Sequence, residues 1–395
     1  MKKFMVLGAT LTQVPLIKMG KSLGYHTIVA SIKGNYPGFD YADEVCYVDI
    51  SEPEMVLEAA KNLEIDGIAT CCMDTPVRAV GYVCDKMHLC GLSEKSAVLC
   101  NDKYLMKDCF ETENINSAKY LKVSSAEEVA AAMGKLKSPV VIKAVDLQAS
   151  RGVFIVNSVE EALDRYDEIC HMSKRGYCII EEFINGVEFG AQAFVYNGDI
   201  LFVLPHGDFN FCKTTNVPVG HYAPLDQPES IINMATECAK KAIKAIGINN
   251  CAVNIDMIYS DGKVYMLELT GRAGATCLPE LVSIYYGINY YKMIAQMAMG
   301  EDPLVEFGKR SSTNTANASH FLYVEKDGTL EKIVNNNQKN DGVSELEFFV
   351  KPGDKINSFV DGKDKLGHII VKGDDLKTCK DRLAEYMNNI EFVLK

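Results

Sequence analysis

Several common signals are missing from this chain, and each absence narrows the reading. None of the 395 residues is tryptophan, which says nothing about function. The fourteen cysteines contain no C-x-x-C pair, so zinc-ribbon and thioredoxin-type sites are excluded. The seven histidines contain no H-x-x-x-H, which argues against a protein-only zinc site. No apolar run reaches the ~18 residues that a membrane span needs. The opening stretch, MKKFMVLGAT, stops being apolar at Gly8 and offers no cleavage site. It reads as a buried strand rather than a secretion signal. A cytoplasmic protein with reduced, core-packed cysteines is expected. Basic charge is also short. Lys and Arg number 41 against 53 Asp and Glu, a net charge of −12, which disfavours a nucleic-acid partner.

What is present is an ordinary globular balance, 48% hydrophobic and 24% charged, at a length that calls for two or three domains. Up to about residue 100 the pattern alternates. Strands at 4–9, 27–32, 45–48 and 65–70 are separated by amphipathic stretches, which predicts a doubly wound parallel α/β domain. The Gly8 turn lacks G-x-G-x-x-G and is not read as a dinucleotide site. Asp74 follows the fourth strand, at the edge where such sheets bind ligands, and is a substrate-contact candidate.

Beyond residue 101 the pattern becomes mixed and antiparallel. Strands at 139–145, 153–156 and 177–184 lead into two hairpin signals, Asn197-Gly198 between strands 188–196 and 200–204, and Asp261-Gly262 between strands 251–259 and 263–269. A helix over 229–246 is expected, with Asp226 and Glu229 as its capping box and Gly247 at its end. Tyr285, Tyr286, Tyr290 and Tyr291 are read as packing residues on one helix. A polar connector is expected over 301–318, and the tail holds short strands and a closing helix at about 374–388.

Three clusters carry chemistry. Lys143 sits inside the apolar run PVVIKAV, where an ammonium needs an anion. Ser150, Arg151 and Gly152 follow in a polar loop, a set suited to phosphate oxygens. Next, Glu181 and Glu182 interrupt an apolar strand and Glu188 follows the Asn185-Gly186 turn. Adjacent glutamates point to opposite faces, so solvent exposure does not explain both; a nucleoside's amino and hydroxyl groups would. Third, Asp256 and Glu268 flank the Asp261-Gly262 turn, which can set them opposite each other. Facing carboxylates call for a cation, and hard Mg²⁺ shared with phosphates suits them. Arg272 lies beyond them and can hold an anion bidentately.

In this order, with Asn101-Asp102-Lys103 opening a helix, the clusters resemble the ATP-grasp superfamily, specifically its biotin-carboxylase-like branch of carboxylate–amine ligases. The resemblance covers nearly the whole chain. It implies a pre-ATP-grasp α/β domain over 1–100, an ATP-grasp domain over 101–310 with its lid at about 115–185, and a closing C-terminal subdomain over 311–395. It assigns Lys103, Lys143 and the loop Ser150–Val153 to ATP phosphates. It assigns Glu181 and the backbone of Glu182, Phe183 and Ile184 to adenine, and Glu188 to ribose. Asp256, Glu268 and Thr270 would hold Mg²⁺, with Mn²⁺ as the alternative ion; Thr270 stands where many members carry asparagine. Lys143 and Arg272 would act on the transferred phosphoryl group. The implied reaction is ADP-forming activation of a small carboxylate as an acyl phosphate for attack by an amine. The rivals are a bicarbonate-using carboxylating enzyme and an ATP-binding protein without turnover. Lys213 and His221, in the segment His206–His221, which otherwise reads as a solvated loop, are the substrate-selecting candidates, and a homodimer is expected from the branch.

Overall fold

The computed structural model describes residues 1–148, 151–212 and 216–395. Ser150 and Lys213 lie outside the described residues. The chain divides into two compact units. The first comprises residues 1–203, 228–273 and 291–303, and the second residues 204–227, 274–290 and 304–395.

The first unit begins with the expected parallel sheet. Strands Glu44–Tyr47, His26–Ser31, Lys3–Leu7 and Gly67–Ala69 lie side by side in that order. The central strand is almost wholly buried because helices pack on both of its faces. Met5, Leu7, Ile28, Val56, Ile68 and Val83 form part of its core. An antiparallel sheet follows, in the order Tyr120–Val123, Cys178–Glu182, Val140–Ala144, Val153–Val156. Its helices, Ala126–Met133 and Val159–Met172, start on serine caps at Ser125 and Ser158. A third set pairs Lys263–Thr270 with Cys251–Ser260 and the latter with Val187–Tyr196. Both hairpin turns have positive φ at their two central residues, Asn197-Gly198 and Asp261-Gly262. That geometry matches the twist of the strands they join.

In the second unit, strands Asn216–Ala223, Ala316–Leu322, Gly367–Gly373 and Val343–Phe348 form consecutive antiparallel pairs. The helix Leu376–Asn388 buries Cys379, Leu383 and Tyr386 against Ile369 and Val371.

Four local expectations fail. The helix Glu229–Ile246 starts from Pro228 without a side-chain cap. Asp226 is two residues too early to serve, and it accepts a hydrogen bond from Lys380 Nζ at 2.7 Å instead. The four tyrosines do not share a helix. Gly287 ends Leu278–Tyr286 with φ of 68°, and Tyr290–Ala298 starts afresh. The 301–318 connector contains a helical turn at Leu304–Phe307 and yields to strand at Ala316. The strand expected at 200–204 runs from Asp199 to Cys212, so most of His206–His221 is strand rather than loop. No helix among the described residues is long and apolar enough to cross a membrane.

Candidate active site

The site assembles within the first unit. Lys143 and Glu181 lie on neighbouring antiparallel strands, in register as Val141 with Glu181 and Lys143 with Ile179. Residues two apart share a face, so the lysine reaches diagonally to Glu181 and pairs with its Oε1. The other oxygen, Oε2, is 2.6 Å from Lys107 Nζ. Lys107 is one turn beyond Lys103 on the helix Lys103–Thr112 and is 2% exposed. Burial alone would raise the Glu181 pKa, but the two ammonium groups outweigh it and hold the carboxyl down at about 2. Burial also pushes the Lys107 pKa down, with Glu181 opposing. The lone anion-seeking lysine of the sequence is therefore one of two lysines flanking a buried carboxylate.

The helix carrying both lysines opens on Asp102, whose side chain accepts from the amides of Tyr104 and Leu105. Tyr177 donates its hydroxyl to the same carboxylate. This cap fixes Lys103, whose Nζ donates to Leu147 O at 2.9 Å and lies 3.3 Å from Glu268 Oε1.

Glu268 faces Asp256 across the hairpin, but not by the register of the turn alone, which would set Asp256 opposite Leu267; a one-residue slip between Asp256 and Met257 brings Glu268 there. Asp256 is exposed beside Gly190 of the next strand. Thr270 and Asn254 form the next pair on that face. Asn254 Oδ1 accepts from the buried Gln192 Nε2 at 2.6 Å. The donors gathered here are hard oxygens, two of them carboxylates. The set fits a divalent ion of the Mg²⁺ class.

Arg272 does not stand free. Its Nε and Nη2 donate to the two oxygens of Asp74 at 2.7 and 2.9 Å. Its Nη1 donates to Ala273 O, which also accepts from the Cys72 amide. Burial disfavours the Asp74 carboxylate, yet the guanidinium keeps its pKa below the usual range, helped by Thr270 and Lys103. Asp74 thus positions Arg272.

The polar loop that follows Lys143 is described at 146–148 and from 151 onward. Asp146 accepts from Ser173 Oγ and the Lys174 amide. Arg151 folds back, its Nε donating to Gln148 O. Gly152 has φ of +66° and packs so close to Ala144 that a Cβ would sit 2.9 Å away. Val153 pairs with Lys143. A cleft of about 10 Å³ lies among Asp74, Lys103, Leu147, Gln148 and Glu268, room for about one water. A much larger concavity, about 640 Å³, opens among Asn335, Asn337 and Lys372 of the second unit.

At the end of the strand Cys178–Glu182, the amides of Glu182 and Phe183 already donate to Lys119 O and Pro139 O. Phe183 is 38% exposed, Ile184 follows it, and Glu188 is exposed on the next strand. His221 belongs to the second unit, where its Nδ1 lies 2.7 Å from Asp208 Oδ1. Sequence reasoning missed Lys107, Asn254, Gln192 and Asp208. Asn254 lies two residues from Asp256 and in register with Thr270, and Asp208 is in register with His221, so strand alternation was the available signal for both; Gln192 is in register only with Asn254.

Comparison with known proteins agrees with this geometry. Residues 101–210 match the phosphoribosylglycinamide synthetase ATP-grasp (A) domain, and residues 320–395 match the L-amino acid ligase C-terminal domain 2. The phosphoribosylglycinamide synthetase structure from Anaerococcus prevotii is 48% identical, with full coverage of both chains and a TM-score of 0.87. The L-amino acid ligase structure from Bacillus licheniformis shares the fold at 18% identity, covering 100% of this chain and 99% of that one, with a TM-score of 0.84. The alanine–anticapsin ligase of Bacillus subtilis (strain 168) is 22% identical over 67% of this chain and 62% of its own. Across the first curated relatives the match spans 56–69% of their length. With paired lysines, facing carboxylates and full-length similarity at 48% identity, the chain belongs to the ATP-grasp superfamily of ADP-forming carboxylate–amine ligases.

Proposed function

We propose that this ligase activates the carboxylate of an amino acid, or of a similarly small acid, and joins it to an amine. The observation that carries the reading is the Asp256–Glu268 pair held in register, with Lys103 bridging Glu268 and the phosphate loop. A carboxylate oxygen of the substrate attacks the γ-phosphorus of ATP and ADP departs, leaving an acyl phosphate. The amine nitrogen then attacks the acyl carbon, phosphate leaves, and the nitrogen loses a proton. The chain's share is positioning and charge neutralisation. Lys103 and Lys143 meet phosphate oxygens, with the loop through Arg151, Gly152 and Val153 closing over them. Ile184, rather than the engaged amides of Glu182 and Phe183, donates to adenine, and Glu188 accepts from ribose hydroxyls. Glu181 holds Lys143 in place. Arg272, oriented by Asp74, meets the acyl phosphate. Asp256 and Glu268, with Thr270 beside them, would hold Mg²⁺, which would supply screening of phosphate charge.

The choice of an amino acid is supported by the two matched families, both named for ligases of amino acids or their derivatives. The test is ADP and phosphate release from Mg-ATP with pooled amino acids, other small acids, or bicarbonate. The reading requires ADP release with an acid pool and transfer of ¹⁸O from the labelled carboxylate to phosphate. Release with bicarbonate alone assigns a carboxylating enzyme instead. AMP formation overturns the acyl-phosphate chemistry.

A further inference from the structure

A second cluster of metal-ligating side chains lies in the other unit, and the reaction above uses none of it as a metal site. His206 and Asp208 are two residues apart on the strand Asp199–Cys212 and so share a face. Asp208 is the register partner of His221 on Asn216–Ala223. Three side chains are thereby brought together from two neighbouring strands. His206 Nδ1 lies 3.3 Å and His221 Nδ1 2.7 Å from Asp208 Oδ1. The imidazole centroids are 5.0 Å apart, with planes at 76°. One ligand atom from each residue falls within 4.8 Å of the others.

The surroundings are those of a built site. His206 is 3% and His221 5% exposed. His206 Nε2 is buried without a hydrogen-bond partner. The His221 amide donates to Ser319 Oγ, which in turn donates to Thr276 O. Gly207, between two of the ligating residues, leaves room for the Tyr222 ring; a Cβ there would collide with it.

We propose that His206, Asp208 and His221 bind a divalent late first-row transition ion of the Zn²⁺ class, at one ion per chain. Metal–ligand distances of about 2.0–2.2 Å in a tetrahedron place ligand atoms about 3.3–3.5 Å apart. The His206–Asp208 separation already has that value. The His221–Asp208 separation must open by about 0.6–0.8 Å, or Asp208 must bind through its other oxygen. Two imidazoles and one carboxylate suit Zn²⁺ and Co²⁺, whereas Mg²⁺ demands oxygen donors. Three protein ligands leave a fourth position to water or an exchangeable anion. The H-x-D spacing on a strand is why the absence of H-x-x-x-H gave no warning of it.

The experiment uses the full chain, stripped with a chelator and titrated with Co²⁺ in excess Mg²⁺. The expected result is one Co²⁺ per chain with the visible bands of a four-coordinate nitrogen–oxygen site. His206→Gln and Asp208→Asn should each weaken it by at least about 10–100-fold, the range lost even when only a ligand's supporting partner is removed. Zn²⁺ should raise the melting temperature of the wild type and not of either variant. If a variant fails to fold, X-ray absorption of the Zn²⁺-loaded wild type still decides. Two imidazole scatterers support the site, and sulfur scattering, which would report cysteines, overturns it. Wild type that binds no ion, or variants that bind as tightly, would reduce the cluster to a carboxylate hydrogen-bonded by two imidazoles.

Discussion

Replacing Lys107 by methionine isolates the electrostatics of the buried carboxylate. The side chains are close in volume, so the change removes charge with little cavity. Glu181 keeps Lys143 but loses the ammonium 2.6 Å from its Oε2. In the folded protein its carboxyl is held at about 2 against an ordinary 4.5. That interval corresponds to about 3 kcal/mol of net attraction, shared by two lysines. Burial already holds the Lys107 pKa down, so removing Lys107 also relieves a desolvation cost. The expected loss is about 2 kcal/mol at pH 7, below the ~3–5 kcal/mol for stranding a buried charge entirely. The pH dependence has a definite sign. A carboxyl depressed on folding contributes stability that is complete above about 4.5 and is lost as pH falls toward 2. In the variant this contribution shrinks, so the gap between wild type and variant narrows on acidification. Urea unfolding of both proteins at pH 7 and pH 4 measures it. Lys107→Met combined with Glu181→Gln should recover part of the loss, because no buried anion then remains. A loss under about 0.5 kcal/mol at pH 7 refutes the reasoning.

Three further outcomes are expected. Glu268→Ala should lower Mg²⁺-dependent ADP release at least about 100-fold while far-UV circular dichroism stays unchanged, since Lys103 keeps its bond to Leu147 O; wild-type turnover would remove the metal assignment. Asp74→Ala should cost about 3 kcal/mol of stability in urea by leaving Arg272 buried without its carboxylate, and should reduce kcat/KM; stability equal to wild type would mean the pair is replaceable by water. Burial pushes the thiols of Cys84, Cys100 and Cys178 up to about 12, so mass spectrometry after brief alkylation of the native protein should find exposed Cys170 labelled and these three unlabelled until denaturant is added; native labelling of Cys100 would contradict its burial.

Much of this arrangement was readable before any coordinates. The Asp261-Gly262 turn brings Asp256 and Glu268 to the same end of one hairpin, but a two-residue loop alone would pair Asp256 with Leu267; the one-residue slip that sets it opposite Glu268 has no mark in the sequence. Lys143 was legible because an ammonium inside an apolar run demands an anion. Lys107 was not. On a helix that also carries Lys103, it reads as one more polar position, and its partner is 74 positions away at Glu181. His206 and Asp208 were hidden for a related reason. The segment around them looked like loop, and only strand pairing gives H-x-D its shared face with His221. The tyrosine stretch misled because period-based reading passed through Gly287, whose left-handed backbone ends the helix. The capping box misled because proline took the cap position.

Lys103 has a consequence for the order of events. A single ammonium touches the backbone carbonyl of Leu147 and an oxygen of Glu268. The cleft beside it admits about one water, so under the proposed function a phosphate would reach Lys103 only by taking the place of Leu147 O. That exchange takes one anchor from Lys103, and phosphate then competes for its charge, loosening its hold on Glu268. Nucleotide entry and cation capture are thereby linked through one side chain: neither reaches full occupancy alone, and steady-state kinetics should show the free cation and the nucleotide as mutually dependent rather than independent reactants.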